Sequence, residues 1–364
     1  MVDLSMSNLS KSQLTALNSS RKPFLTLYRG GMMMYTTIAI LAVDFHIFPR
    51  RFAKCESFGI SLMDAGVGGF IMSSALISRQ VRSRLQVKTQ KNPTKSSMFK
   101  RVLSSVSPML VLGTIRFVLT RSVDYQIHVS EYGLHWNFFF TLAFVALFAA
   151  LINPQQNSCG IIGATILFGY QIALSFFGLS DYILHHPRTD LISANKEGIF
   201  SSVGYFSLFL ISIELGSFLL RKRTISEWKY DFVRLICLNI VLFALSSFFD
   251  SCVQAVSRRM ANSSFVVCCL ALNLFVLNLC LGFNLIMAPK MAETILETPL
   301  LRAVNRNQLP FFLLANLSTG AINLLVQTLF VKPFPSFLIL SGYMFVLSFV
   351  AISWQIWNVS LKFW

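Results

Sequence analysis

The segment TIAILAVDFHIFPRRFAKCESFG puts Asp44 near the end of an apolar run and Lys54 just beyond Pro49. Proline has no N–H and disfavours helix at the residue before it, so the chain is expected to reverse between the two. A carboxylate and an ammonium would then share one mouth of the molecule. A partly desolvated carboxylate is a better base and can take a proton from a hydroxyl. The ammonium can stabilise an oxyanion or a departing thiolate. An ordinary interfacial ion pair, with Arg50, Arg51 and Lys54 as lipid anchors, uses the same residues, and spacing alone favours that plainer reading.

A second constellation lies in RSVDYQIHVSEYGLHWNFFF. Asp124, His128, Glu131 and His135 recur at helical spacing and, if helical, form one continuous stripe. Two imidazoles and two carboxylates on one face can relay protons, hold a polyhydroxylated headgroup or bind a metal; nothing in the spacing forces closed coordination, so no metal is assigned. The same stripe also reads as a helix face of i,i+4 pairs. Arg116 sits inside an apolar run and needs a partner, for which Asp44 and Glu131 are candidates. Asp64 lies beside Gly66, Gly68 and Gly69, a composition that favours close helix packing. Asn195, Lys196 and Glu197 precede Gly198 at the start of another run, where free N–H groups can hold a phosphate or a side chain can simply cap the helix. Asn262-Ser-Ser is a glycosylation sequon.

The elements that must position these groups are membrane helices. The 364 residues are 54% hydrophobic and 13% charged, with mean hydropathy +0.62. About ten apolar runs are long enough to cross a hydrocarbon core of ~30 Å. They are 28–48, 59–78, 102–120, 137–153, 159–182, 201–220, 233–249, 265–287, 311–331 and 336–357. The fold class expected is therefore an all-α polytopic membrane protein, a polar cytoplasmic segment 1–27 followed by one transmembrane domain 28–364. The net charge of +16 does not point to nucleic acid, because the basic residues lie in loops between the runs. The cysteines lie mostly inside the runs, which argues against a disulfide framework.

Loop 79–101 holds eight Lys and Arg residues and no acid, so it is expected to be cytoplasmic, together with 221–229 and the basic N-terminal flank. Loops 49–58, 121–136, 183–200 and 250–264 then face the other side. Loop 49–58 carries Arg50, Arg51 and Lys54 against that rule, which suggests that its cations serve another purpose. Asn239, Asn273, Asn278 and Asn284, inside the later runs, read as hydrogen-bonded joints between helices.

Four motifs occur in order: ILAVDFxxFPRRFAKxExxGxSLMDxGVG, RxxxDYxxHVSEYGxHWNFFFTL, SANKEGIxSSxGY and NQLPFFLLANLSTGAINL. With them, from about Tyr28 to the end, the chain resembles the GPI-inositol acyltransferase family, that of the fungal GPI-anchored wall transfer protein and the animal PIG-W. The resemblance implies a multi-span acyltransferase of the endoplasmic reticulum membrane. Such an enzyme moves a fatty acyl group, palmitoyl, from acyl-CoA to the inositol 2-hydroxyl of glucosaminyl-phosphatidylinositol in GPI-anchor biosynthesis. It implies no cofactor beyond acyl-CoA as co-substrate, and acyl-CoA, the glucosaminyl lipid and membrane lipids as partners.

The family's catalytic aspartate and lysine fall on Asp44 and Lys54, which outweighs the plainer reading of that pair. Arg50, Arg51 and Arg116 would hold phosphates. Asp124, His128, Glu131, His135 and Asn137 would orient the headgroup, with Asn195 and Lys196 at a phosphate-holding helix start. The family also implies further spans N-terminal to these, which this chain is expected to lack. From the residues alone, a lipid or solute transporter using the same charges is the rival reading, weakened by the lack of an evident internal repeat. A non-catalytic scaffold leaves the polar clustering unexplained.

Overall fold

The computed structural model describes residues 22–85, 95–122, 128–152, 158–287 and 298–361. Its elements, in chain order, are α1 (Pro23–Ala42), a 3-10 turn (Arg50–Phe52), α2 (Leu62–Leu76), α3 (Arg79–Leu85), α4 (Lys95–Ser122), α5 (Val129–Tyr132), α6 (Phe138–Ile152), α7 (Cys159–Phe176), α8 (Leu179–His185) and α9 (Leu191–Ala194). There follow α10 (Lys196–Leu219), α11 (Ile225–Cys252), α12 (Ser263–Met287), α13 (Pro299–Arg306), α14 (Gln308–Leu325), a 3-10 turn (Thr328–Phe330) and α15 (Pro333–Ile356). Among the described residues there is no strand, only an isolated bridge between Gly59 and Ser257. The expected all-α polytopic architecture is the one found.

Each of the ten apolar runs contains a helix, but among the described residues seven are long and apolar enough to cross a membrane: those in α4, α7, α10, α11, α12, α14 and α15. With 15 residues each, α2 and α6 reach about 22 Å at 1.5 Å per residue, short of a ~30 Å core. The 20-residue α1 begins at Pro23 rather than at residue 28, because proline fits the first helical position, and it carries Arg29 within its length. Arg29 is satisfied by Ser73, Asn305 and Gln308, at 3.1, 2.8 and 2.6 Å.

Helix starts follow local chemistry. Ser61 caps α2 in a reciprocal box with Asp64, and Thr224 caps α11 with Glu227. The largely buried α10 forms the centre of the main core, where Tyr205, Leu208, Leu210 and Ile213 pack with Ile71, Met72, Phe265 and Cys269. A second core joins the outer half of α1 (Met33, Leu41) and Phe45 to Val304, Phe311, Ala315 and Leu347. The outward faces of α4, α11 and α15 present large apolar side chains such as Phe345 and Phe349, as lipid-facing helices do. The intramembrane asparagines act as joints: Tyr28 donates to Asn273, Asn239 to the Ala271 carbonyl and Asn278 to that of Leu235, at 2.9, 2.7 and 3.2 Å, while Asn284 bonds within its own helix.

The loops sort onto two ends. Segments 49–59, 128–136, 183–200 and 250–264 meet at one end, through contacts of Lys54 with Glu131, of the Gly59 backbone N–H with the Val256 carbonyl and of the His135 backbone N–H with Asn195. At the other end Lys22 donates to the Arg221 carbonyl at 3.2 Å. This is the segregation that charge alternation predicts.

Gly216 lets α10 cross α2 at close range: a Cβ there would lie 2.7 Å from the Leu76 carbonyl oxygen and 2.8 Å from its Cα. Backbone cannot give way as a side-chain tip can. Gly216→Val is expected to lower stability by ~1–3 kcal/mol, read as a drop in thermal midpoint in detergent, whereas Gly31→Ala, inside α1 with nothing within 4 Å of its Cβ, does not lower the midpoint.

Candidate active site

After α1 ends at Ala42, the chain turns through 43–48, and Pro49 opens the 3-10 turn. The reversal expected there is real, and it places Asp44, Arg50, Arg51 and Lys54 on one loop at the mouth. Asp44 is half-buried, and its Oδ2 accepts a hydrogen bond from Asn323 Nδ2 at 2.8 Å. Asn323 comes from the last turns of α14, the end of the bundle where α1 also terminates. Burial raises the Asp44 carboxyl above the ordinary aspartate range, against the opposing pull of the Asn323 hydrogen bond and the cations Arg50 and Lys54.

Asp44 and Lys54 sense each other's charge but form no ion pair. Lys54 Nζ is instead bound to Glu131 Oε1 at 2.7 Å. This corrects the expectation of a direct meeting across the bend: the ammonium pairs instead with the one-turn helix α5. Glu131 also receives Arg258 Nη1 at 3.4 Å, and Arg258 Nε lies 2.7 Å from Asp64 Oδ1. The second oxygen of Asp64 accepts the backbone N–H groups of Cys55 and Ser61, both at 3.0 Å. A chain of alternating charge thus runs Asp64, Arg258, Glu131, Lys54. Its inner half is deep, with Asp64 0% and Arg258 4% exposed. Its outer end is open, the Lys54 side chain being 39% exposed.

The charges account for one another. Burial alone would raise the Glu131 carboxyl, but Lys54, then Arg258, and more distantly Arg116 pull it below the usual range. Arg116 thus lies near enough for its charge to reach Glu131. Burial raises the Tyr132 hydroxyl, with Glu131 adding to the effect. Its ring lies 5.9 Å beneath the Arg258 guanidinium.

The other expected residues divide. Arg50 and Arg51 are exposed on the loop, Arg50 donating to the Val43 carbonyl at 2.7 Å and Arg51 resting over the Phe52 ring. The continuous helical stripe is not formed. His128 is the exposed residue before α5, and α5 ends at Gly133, whose φ of 110° no helix accommodates. Asp124 lies outside the described residues. His135 turns to the Asn195 side chain, its N–H donating to Oδ1 at 2.8 Å, and its ring sits against Phe117.

Asn137, Asn195 and Lys196 are buried and committed to the protein, which corrects their expected role in touching substrate. Asn137 Nδ2 donates to the Gly113 carbonyl at 2.9 Å while its Oδ1 caps α6. Asn195 donates to the Leu191 carbonyl at 2.9 Å. Lys196 Nζ binds the carbonyls of Tyr182 and His186 at the C-terminus of α8, where a cation satisfies orphan acceptors. Beside it, fully buried Glu197 is clamped by Arg188 and Arg259, at 2.5 and 2.8 Å. Asn262 is 0% exposed and donates to the Ala255 carbonyl, so the sequon is not presented for glycosylation. Among the described residues no group of His, Cys, Asp and Glu has the arrangement to hold a metal.

Sequence reasoning missed Arg258 and Asn323, and read Asp64 as packing. One signal was present: Arg258 and Arg259 sit in a loop predicted non-cytoplasmic, the same anomaly that singled out Lys54.

Fold and mouth together define a polytopic helical membrane protein with a half-buried charged site at one end of its bundle. The GWT1 family model matches residues 3–354. The chain is 41% identical over 388 residues (97% of it, 78% of the relative) to the phosphatidylinositol-glycan biosynthesis class W protein of Dictyostelium discoideum. It is 39% identical over 351 residues (91% and 72%) to GPI-anchored wall transfer protein 1 of Yarrowia lipolytica. To the mouse protein named glucosaminyl-phosphatidylinositol-acyltransferase PIGW it is 34% identical over 389 residues (96% and 76%). The chain belongs to the GWT1 family.

Arg258→Gln would strand Asp64 as an uncompensated buried charge and is expected to destabilise by ~3–5 kcal/mol. The pair Asp64→Asn/Arg258→Gln should cost clearly less than the sum of the two single changes. Thermal unfolding of the four proteins in detergent reads this coupling; additive losses would show that the ion pair is not what holds these loops together.

Proposed function

We propose that this protein is an acyltransferase of GPI-anchor biosynthesis that moves a palmitoyl-type acyl group from acyl-CoA to the inositol 2-hydroxyl of glucosaminyl-phosphatidylinositol. The relatives' names supply the class of reaction. The observation that carries the reading in this chain is the Asp44 carboxylate: half-buried, raised in pKa, and held by a neutral amide rather than by a cation. An ion-paired aspartate is depressed and a poor base; one steered by Asn323 keeps its basicity and its direction.

In the proposed step, Asp44 takes the proton of the inositol hydroxyl as that oxygen attacks the thioester carbonyl carbon. The new C–O bond forms, the C–S bond breaks, and the sulfur leaves as a thiolate beside Lys54. Lys54 stabilises the developing negative charge and supplies a proton to the thiolate, while the proton on Asp44 passes to Lys54 or to water as the site resets. Glu131, itself held by Arg258, anchors Lys54 from behind, and Arg50, Arg51 and Arg116 offer guanidinium groups to the phosphates of lipid or donor. The site faces the lumen of the endoplasmic reticulum by the charge rule.

Purified protein supplied with labelled acyl-CoA and glucosaminyl-phosphatidylinositol is expected to yield a labelled lipid that resists phosphatidylinositol-specific phospholipase C. A lipid moved but left unmodified would make the protein a transporter. The base role also has a pH signature. Activity requires ionised Asp44 and so falls as pH drops through its pKa. Asn323 stabilises the charged form, so Asn323→Leu should move the acid limb of the rate profile to higher pH; an unmoved limb would detach Asp44 ionisation from turnover.

A further inference from the structure

At the opposite end of the bundle lies a cleft of about 290 Å³ between the end of α10 and the start of α11, lined by Phe218, Arg221, Lys222, Arg223, Tyr230 and Arg234, with Glu227 and Asp231. It is remote from Asp44. The mouth residues Asn195 and Lys196 open α10 and Phe218 lies in its last turn, and its 24 residues span about 36 Å.

The cleft carries four cations against two carboxylates, and Lys22 stands beside it. Several of these cations are fixed in place. Arg223 is paired with Asp231 and stacked 4.3 Å from the Phe218 ring centroid and 4.8 Å from that of Trp228. Arg234 shares Asp231 and lies 4.2 Å over Tyr230. Lys22 sits 4.8 Å over Trp228. Its ammonium is lowered to about 8, chiefly by burial and secondarily by the neighbouring cations Arg223 and Lys222.

The surface below identifies the occupant. Tyr230, Val233, Cys237, Ile240 and Val241 are exposed on α11, the last four lying three, seven, ten and eleven residues beyond the first, so an apolar stripe runs from the cleft down the lipid-facing side of the helix. A soluble phosphate needs the cations but not the stripe. A phospholipid needs both, with its phosphate in the basic cleft and its chains along α11. We propose that this cleft binds the phosphate headgroup of an anionic phospholipid from the leaflet opposite the candidate active site.

The test is native mass spectrometry of the full chain in neutral detergent with equal amounts of phosphatidic acid and phosphatidylcholine. Phosphatidic acid carries the phosphate without the inositol sugar, and the triple variants separate the cleft from the arginines at the Asp44 mouth. The wild type should retain at least about fivefold more phosphatidic acid, the preference expected of one cation near an anionic headgroup. Arg221→Ala/Lys222→Ala/Arg234→Ala should bring the ratio to parity. Arg79→Ala/Arg82→Ala/Lys229→Ala removes as much charge from exposed positions at the same end, outside the cleft, and should keep the preference. Parity in the wild type, equal loss in both triple variants, or displacement of the lipid by millimolar inorganic phosphate would each overturn the proposal.

Discussion

Charge taken out of water must be compensated, and at the mouth of this bundle that requirement organises the chain. Asp64 and Arg258 are almost wholly removed from solvent, Glu131 partly so, and Lys54 emerges at the surface. Each is tolerable only because the next neutralises it. The four come from four separate segments: the loop after α1, the start of α2, the one-turn helix α5 and the loop before α12. Packing of apolar helices leaves their loops free to slide. The ion chain fixes the loops relative to one another, and so fixes the site.

The same chain divides labour between the two groups at its open end. Glu131 takes the Lys54 ammonium as its direct partner, leaving Asp44 to the Asn323 amide. A carboxylate paired to lysine would be a weak base, and a lysine paired to nothing would be a poorly placed electrostatic aid. Separate partners let a raised carboxyl and a held ammonium coexist in one mouth, the arrangement that hydroxyl attack on a thioester calls for.

Much of this was legible in sequence because the relevant rules are local. Each of the ten apolar runs holds a helix, seven of them long and apolar enough to span among the described residues, and the described parts of the loops group as charge alternation expects. Pro49 marked the reversal that carries Asp44 and Lys54 to one mouth. What sequence could not show was long-range choice of partner. Lys54 finds Glu131 rather than Asp44, and Asn323 reaches back across nearly the whole chain. The histidine stripe failed for a local reason: Gly133 adopts a left-handed conformation that ends α5 after one turn. Lys196 and Asn195 had the composition of a phosphate site, but neighbouring helix ends claimed their polar atoms first.

Acyl transfer by Asp44→Asn, in membranes matched for protein level with the wild type, tests the central claim most directly. Asparagine preserves size and the capacity to bond Asn323 but cannot accept the hydroxyl proton, so turnover should fall by about 10²-fold or more. Turnover near that of the wild type would contradict the account, since a carboxylate that can be spared is not the base.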